Sequence, residues 1–158
     1  MDNILGFPTI GIVGTAEYPN KEIIKATVDL IYKLNSDAII VSGGGGNVDI
    51  TAEKHARELH MNTLIWPAKW KRDGNRDGFV RNPLIAGTSA YLLSFWDGVS
   101  NGTKSTLRHF HDRVQDKSKF CIIPVVELQA DRETKLKEWN RIKDFLHKHL
   151  LLADEVVG

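Results

Sequence analysis

The stretch "IIVSGGGGNVDITAEKHA", residues 39–56, sets four glycines between an apolar run and a segment with helical spacing. Each glycine costs about 0.5–1 kcal/mol relative to alanine in regular structure. A run of four therefore requires a backbone that passes close to something. Before it, "AIIVS" (38–42) reads as a buried strand. After it, Val48, Ala52, His55, Ala56 and Leu59 mark one face of a helix over Asn47–His60. The glycines thus join a strand to a helix.

The same alternation extends in both directions. "TIGIV" (9–13) is β-branched and ends at Gly14, which predicts a buried strand. Ile23, Ile24, Thr27, Val28, Ile31 and Leu34 predict a helix over Lys21–Leu34 with Asn20 as its N-cap. Strands follow at 63–66, 90–96 and 119–126, and helices at 102–114 and about 131–150. "PAKWKRDGNRDG" (67–78) reads as a loop, and "FVRNPLIAG" holds at most a short helix whose start Pro83 restricts. The strands are near-continuous hydrophobic runs, the mark of parallel strands covered on both faces. The order β-α-β-α-β-α-β-α-β-α predicts a single doubly wound, Rossmann-like α/β domain, three layers thick, around a mainly parallel sheet of about five strands.

The totals narrow the class of partner. A chain of 158 residues, 42% hydrophobic and 26% charged, supports one globular core. A formal net charge of +1 argues against binding dominated by attraction to nucleic acid or to acidic membranes. No apolar run approaches the ~20 residues that span a bilayer, and the N-terminus has no secretory pattern. The lone Cys121 builds neither a disulfide nor a cysteine zinc site within one chain, which suits a reducing cytoplasm. His109 and His111, like His147 and His149, are two apart on helices and face different sides, so no metal is expected.

Three strand ends fall on one edge of such a sheet: Gly14 with Thr15, Gly43 to Asn47 with Ser42 just before them as a further ligand-binding candidate, and Asp97 to Thr103. Two lead straight into helices, whose N-terminal amides and partial positive charge suit an anion. Gly43, Gly44, Gly45 and Gly46 admit two readings, a phosphate cradle or a tight turn with no ligand. "SFWDGVSNGTKSTL" (94–107) repeats the logic with Gly98, Ser100, Gly102 and Thr103, the last able to bond a ligand oxygen or to cap the helix. Neither stretch matches the triphosphate loop or the dinucleotide fingerprint.

Together, "VSGGGGNVDITAEKHA", "WPAKW", "RNPLIAG" and "SFWDGVSNGTKSTL" resemble, in order and spacing, the SLOG (SMF/DprA-LOG) superfamily, most closely its small YspA-like branch. The resemblance covers roughly Ile10 to Val126. It implies a Rossmann-like fold that binds nucleotides or nucleotide-derived ligands, and a homodimer or higher assembly. Among relatives, the Lonely Guy phosphoribohydrolases cleave the bond between base and ribose phosphate, and others bind nucleic acid. Two departures stand out: the phosphoribohydrolase glutamate position is Thr106 here, and the glycine expected before Val48 is Asn47, a residue that also tolerates left-handed backbone angles. Arg81 corresponds to the phosphoribohydrolase arginine and sits beside Asn82.

Cleavage of an N-glycosidic bond needs a carboxylate near an oxocarbenium-like sugar. The candidates are Asp49, Asp97 and Glu17, with Asp97 assigned to ligand binding and, together with Arg81, to any catalysis. Arg81 admits a grip on phosphate through two parallel bonds, a place beside a departing base, or only a surface salt bridge, with the functional roles favoured by its place in a matched block. Trp70 either stacks on a base or packs as part of a lid, in a loop made basic by Lys69, Lys71, Arg72 and Arg76. The expected function is a sensor or sequestering protein for a nucleotide-derived small molecule, with no separate cofactor. A nucleoside-monophosphate hydrolase is the alternative, and a nucleic-acid module the lesser one.

Overall fold

The computed structural model describes residues 3–4, 6–67 and 76–151. Its centre is β2 (Phe7–Gly14), flanked by β3 (Ile39–Ser42) and β5 (Tyr91–Phe95). β4 (Asn62–Ile65) pairs outside β3, and β6 (Phe120–Ile123) outside β5. All four of these pairings are parallel. A short β1 (Asn3–Ile4) pairs antiparallel with the start of β2, and Gly6 between them takes φ +84°. That hairpin adds an antiparallel strand to the five expected.

Side-chain alternation divides the core between the two faces of the sheet. Ile10, Ile12, Ile40, Leu93 and Ile123 meet α1 (Lys21–Leu34), α2 (Asn47–Glu58) and α5 (Arg132–Leu150). Val13, Val41 and Leu92 meet α3 (Arg76–Thr88) and α4 (Asn101–Val114) on the other side. Full burial of such side chains is worth about 1.5–3 kcal/mol each. The doubly wound Rossmann-like α/β class expected from the sequence is the fold found.

Local chemistry sets the boundaries. The Asn20 side chain accepts from the Ile23 amide at 3.2 Å and so starts α1. α2 stops at Glu58, short of His60, which takes φ +60° and turns the chain toward β4. β6 stops at Ile123 and not at residue 126, because Pro124 cannot donate to a ladder. α3 corrects the reading of residues 76–78 as loop and of Pro83 as limiting where the helix starts, while residues 68–75 of that expected loop lie outside the described residues. The helix begins at Arg76 and carries Pro83 in its interior. Its buried residues Asn82, Ile85 and Ala86 pack toward the sheet and α4, which offsets the missing helical bond.

The chain leaves β2 toward β3 on one side of the sheet and later places β5 on the other. The switch point therefore lies between the carboxyl ends of β2 and β5, where this architecture opens a crevice. The two ends are tied together. The Thr15 amide donates to the Phe95 carbonyl at 2.9 Å, and the Asp97 amide donates to Thr15 Oγ1 at 3.0 Å.

Candidate functional site

A cavity of about 170 Å³ occupies that crevice. Gly14 and Ala16 form its wall at the end of β2, and Gly45, Gly46 and Asp49 its wall at the glycine turn and α2. Arg81, Asn82 and Ile85 project from α3, and Ser100, Gly102, Thr103 and Thr106 close it from α4. The end of β2, the glycine turn with α2, α3 and the start of α4, far apart in the sequence, thus meet around one space.

Three glycines of the run have reasons of their own. Gly44 takes φ +67°, a conformation that suits glycine. A Cβ on Gly43 would stand 2.9 Å from Arg81 Cζ and closer still to Nη1. A Cβ on Gly46 would stand 2.5 Å from the Ala16 Cα. The close approach that the glycines permit is made by the protein's own arginine and backbone. Asn47 is the first residue of α2 and does not take left-handed angles; its side chain donates to the Tyr18 carbonyl at 3.3 Å.

Arg81 lies over this turn. Nη1 donates to the Gly43 carbonyl at 2.7 Å and Nε to Asn82 Oδ1 at 3.3 Å. Asn82, 3% exposed, donates to the Gly102 carbonyl at 3.3 Å and so ties α3 to α4. Among the described residues Nη2 of Arg81 has no hydrogen-bond partner.

The two helix N-termini differ. In α2 the Asn47 amide donates to the Ala16 carbonyl at 2.7 Å, and a carboxylate, Asp49, already sits in the first turn. In α4 the first turn holds no acidic residue, and the Ser100 side chain makes no cap. No hydrogen bond is found for the Asn101, Gly102 or Thr103 amides among the described residues. The unanswered positive pole is that of α4.

Two aspartates also part ways. Asp97 does not line the cavity. Its Oδ1 accepts from the Val99 amide at 2.9 Å and the Ser100 amide at 2.8 Å, and Oδ2 from the Ser100 hydroxyl at 2.9 Å. The Val99 amide first, then that of Ser100, holds its carboxyl below the usual range. Asp97 builds the turn that aims α4. Asp49, 6% exposed, does line the cavity. Oδ2 accepts from the Gly45 amide at 3.1 Å, and Oδ1 is buried with no partner among the described residues. Burial pushes its carboxyl up to about 6, against the Gly45 amide and the Arg81 charge.

The other expected site residues lie around this centre. The Ser42 hydroxyl donates to the Ile12 carbonyl at 2.8 Å inside the core. Gly98 takes φ +86° in the turn before α4. Thr15, at the β2–β5 tie, and Gly43 and Gly44 fall outside the cavity wall. Glu17 is not part of it either. Trp70, with Lys69, Lys71 and Arg72, lies outside the described residues. Trp66 and Trp96 pack against the core on the α3–α4 side, their indole N–H groups bonded to Thr88 Oγ1 and the Ser100 carbonyl. Ala16, Ile85 and Thr106 were not singled out as site residues; a sheet edge shared with α3 is what brings them in.

No protein-family model and no curated protein matches the chain. Two solved structures share the fold. DNA processing protein A (DprA) from Streptococcus pneumoniae is 19% identical with a TM-score of 0.58, over 93% of this chain and 58% of that one. DprA from Helicobacter pylori, described for its single-stranded DNA binding mode, is 22% identical with a TM-score of 0.56, over 89% and 79%. The chain thus spans little more than half the length of the pneumococcal protein. The Rossmann-like fold that the four sequence blocks imply is the fold shared with these structures.

Proposed function

We propose that the crevice between β2 and β5 binds the phosphate of a nucleotide-derived ligand, and that the protein is a sensor or sequestering module for it. The observation that carries this reading is the meeting, around one cavity, of the α4 amides and Arg81 Nη2, none of which has a hydrogen-bond partner among the described residues. Pockets that hold whole drug-sized ligands run to roughly 300–1,000 Å³. A space of about 170 Å³ takes a phosphate or a sugar phosphate and leaves a base outside it. The lone cysteine fits a reducing cytoplasm, and the assembly implied by the superfamily is checked by light scattering.

The test is a thermal-shift panel of nucleoside monophosphates and sugar phosphates, followed by chromatography for free base. A shift without base release marks a binder, and base release marks a phosphoribohydrolase-like enzyme. If no phosphate compound stabilises the protein, the reading is wrong.

A second reading has one observation in its favour: the Helicobacter DprA structure concerns single-stranded DNA. The same donors would then hold one phosphate of a strand. A net charge of +1 weighs against it. A salt-sensitive gel shift with an oligonucleotide would establish it.

A further inference from the structure

We infer that Asp49 reads a hydroxyl of the ligand, so that the crevice takes a phosphorylated sugar or polyol in preference to a bare or alkyl phosphate. This rests on the phosphate-binding reading above and extends it to the rest of the guest.

The argument begins with the unequal walls of the cavity. The α4 wall offers amide donors and no acid. The α2 wall offers a carboxylate, and Gly45, whose amide an anion would seek, already donates to that carboxylate. An anion is thus drawn to one wall and repelled by the other. The groups facing Asp49 are few. Arg81 comes from α3, Glu53 from its own helix, Ser42 from β3, and the Gly45 amide from the turn. The Ser42 hydroxyl gives its proton to Ile12, and the Arg81 bonds go to Gly43 and Asn82. Among the described residues Oδ1 has no hydrogen-bond partner, in a residue more than nine-tenths buried, although the Ser42 hydroxyl lies close enough to favour the charged carboxylate.

Such an oxygen is costly unless something donates to it. The last torsion of an aspartate is broad, so a modest turn presents Oδ1 to the cavity. A ligand with its phosphate against α4 and Arg81 then places its next carbons toward α2. A hydroxyl there supplies the missing donor. An alkyl chain there buries the carboxylate more deeply and supplies nothing. The raised proton affinity of Asp49, caused by its burial, agrees with this.

The experiment titrates the full chain at pH 7.5 with ribose 5-phosphate, butyl phosphate and inorganic phosphate, as wild type and as Asp49→Asn. Ribose 5-phosphate should bind wild type about tenfold or more tightly than butyl phosphate, the worth of a bond to a charged acceptor. In Asp49→Asn the ratio should fall below about threefold, with butyl phosphate bound as well as before or better. Equal binding of the two by wild type, or a preference that survives in Asp49→Asn, overturns the inference and leaves phosphate binding intact. Failure of all three compounds to bind overturns both. A second arm needs no variant: the wild-type ratio is measured at pH 8 and pH 5. Protonation of Asp49 should shrink it, and an unchanged ratio overturns the inference.

Discussion

Arg81 rests on the Gly43 carbonyl at 2.7 Å, in space that any larger residue at 43 would need. The glycine keeps room for the arginine, and the arginine keeps one face toward the cavity. Gly43→Ala should therefore displace the guanidinium. Phosphate affinity is expected to drop about tenfold, the loss of one charge-assisted bond. Stability should change little, because the clash falls mainly on the far end of a flexible side chain. Titration with a sugar phosphate beside urea unfolding separates the two effects; unchanged affinity would remove Arg81 from the site.

Gly46 and Gly102 should respond in opposite ways to alanine. A Cβ on Gly46 meets the Ala16 backbone, which cannot swing aside, so Gly46→Ala should cost about 1–3 kcal/mol. A Cβ on Gly102 meets nothing within 4 Å and sits in the first turn of a helix. Gly102→Ala should be neutral or add up to about 1 kcal/mol. Denaturation midpoints of the two variants check the contrast.

Asp49 sets a pH dependence of known sign. Its folded proton affinity is raised, to about 6 from 3.8, so the native state holds that proton more tightly than the unfolded chain. Its contribution is neutral below about pH 4, turns unfavourable as pH rises through the interval, and is complete above about 6. The full effect is up to about 3 kcal/mol. The stability difference between Asp49→Asn and wild type should therefore move in favour of the variant from pH 4 to pH 7. A difference that stays flat across that interval would place the carboxyl in solvent. Asp97, Asp116 and Asp131, held low by local amides and hydroxyls, act in the opposite sense and weaken the fold on acidification.

Replacement of Asp97 distinguishes a turn former from a ligand contact. Asp97→Asn keeps an oxygen for the Val99 and Ser100 amides and should bind phosphate compounds like wild type. Asp97→Ala removes it, loosens the approach to α4 and should weaken binding. Equal loss in both variants would show that the charge itself touches the ligand.

Tyr18 joins two distant segments through one hydroxyl, which donates to the Pro124 carbonyl at 2.7 Å and accepts from the Val126 amide at 3.0 Å. Burial pushes its ionisation up to about 12. Tyr18→Phe strands both backbone groups and should cost about 1–3 kcal/mol in thermal or urea unfolding.

Sequence periodicity reaches the layered architecture directly, because parallel strands covered on both faces are apolar throughout and their helices keep a single apolar stripe. It reaches the crevice too, because strand ends in this fold share one edge. It stops short of the roles of Asp49 and Asp97, which both stand near strand ends. Only three-dimensional contacts reveal that the Asp97 oxygens are taken up by the Val99 and Ser100 amides and the Ser100 hydroxyl, while one oxygen of Asp49 has no partner among the described residues. The glycine run shows the same boundary. Its composition announces a close approach, but whether a guest or Arg81 makes that approach depends on α3, whose start at Arg76 and interior Pro83 defy local propensity.

The parallel pairing of β2 with β5, Gly14 opposite Phe95, joins strands that are remote along the chain. Long loops must close before that pair can form, so it is slow to assemble. The Thr15 and Asp97 contacts that aim α4 depend on the same pairing. During refolding, competence to capture a guest should consequently emerge only in the last kinetic phase, after helicity has returned.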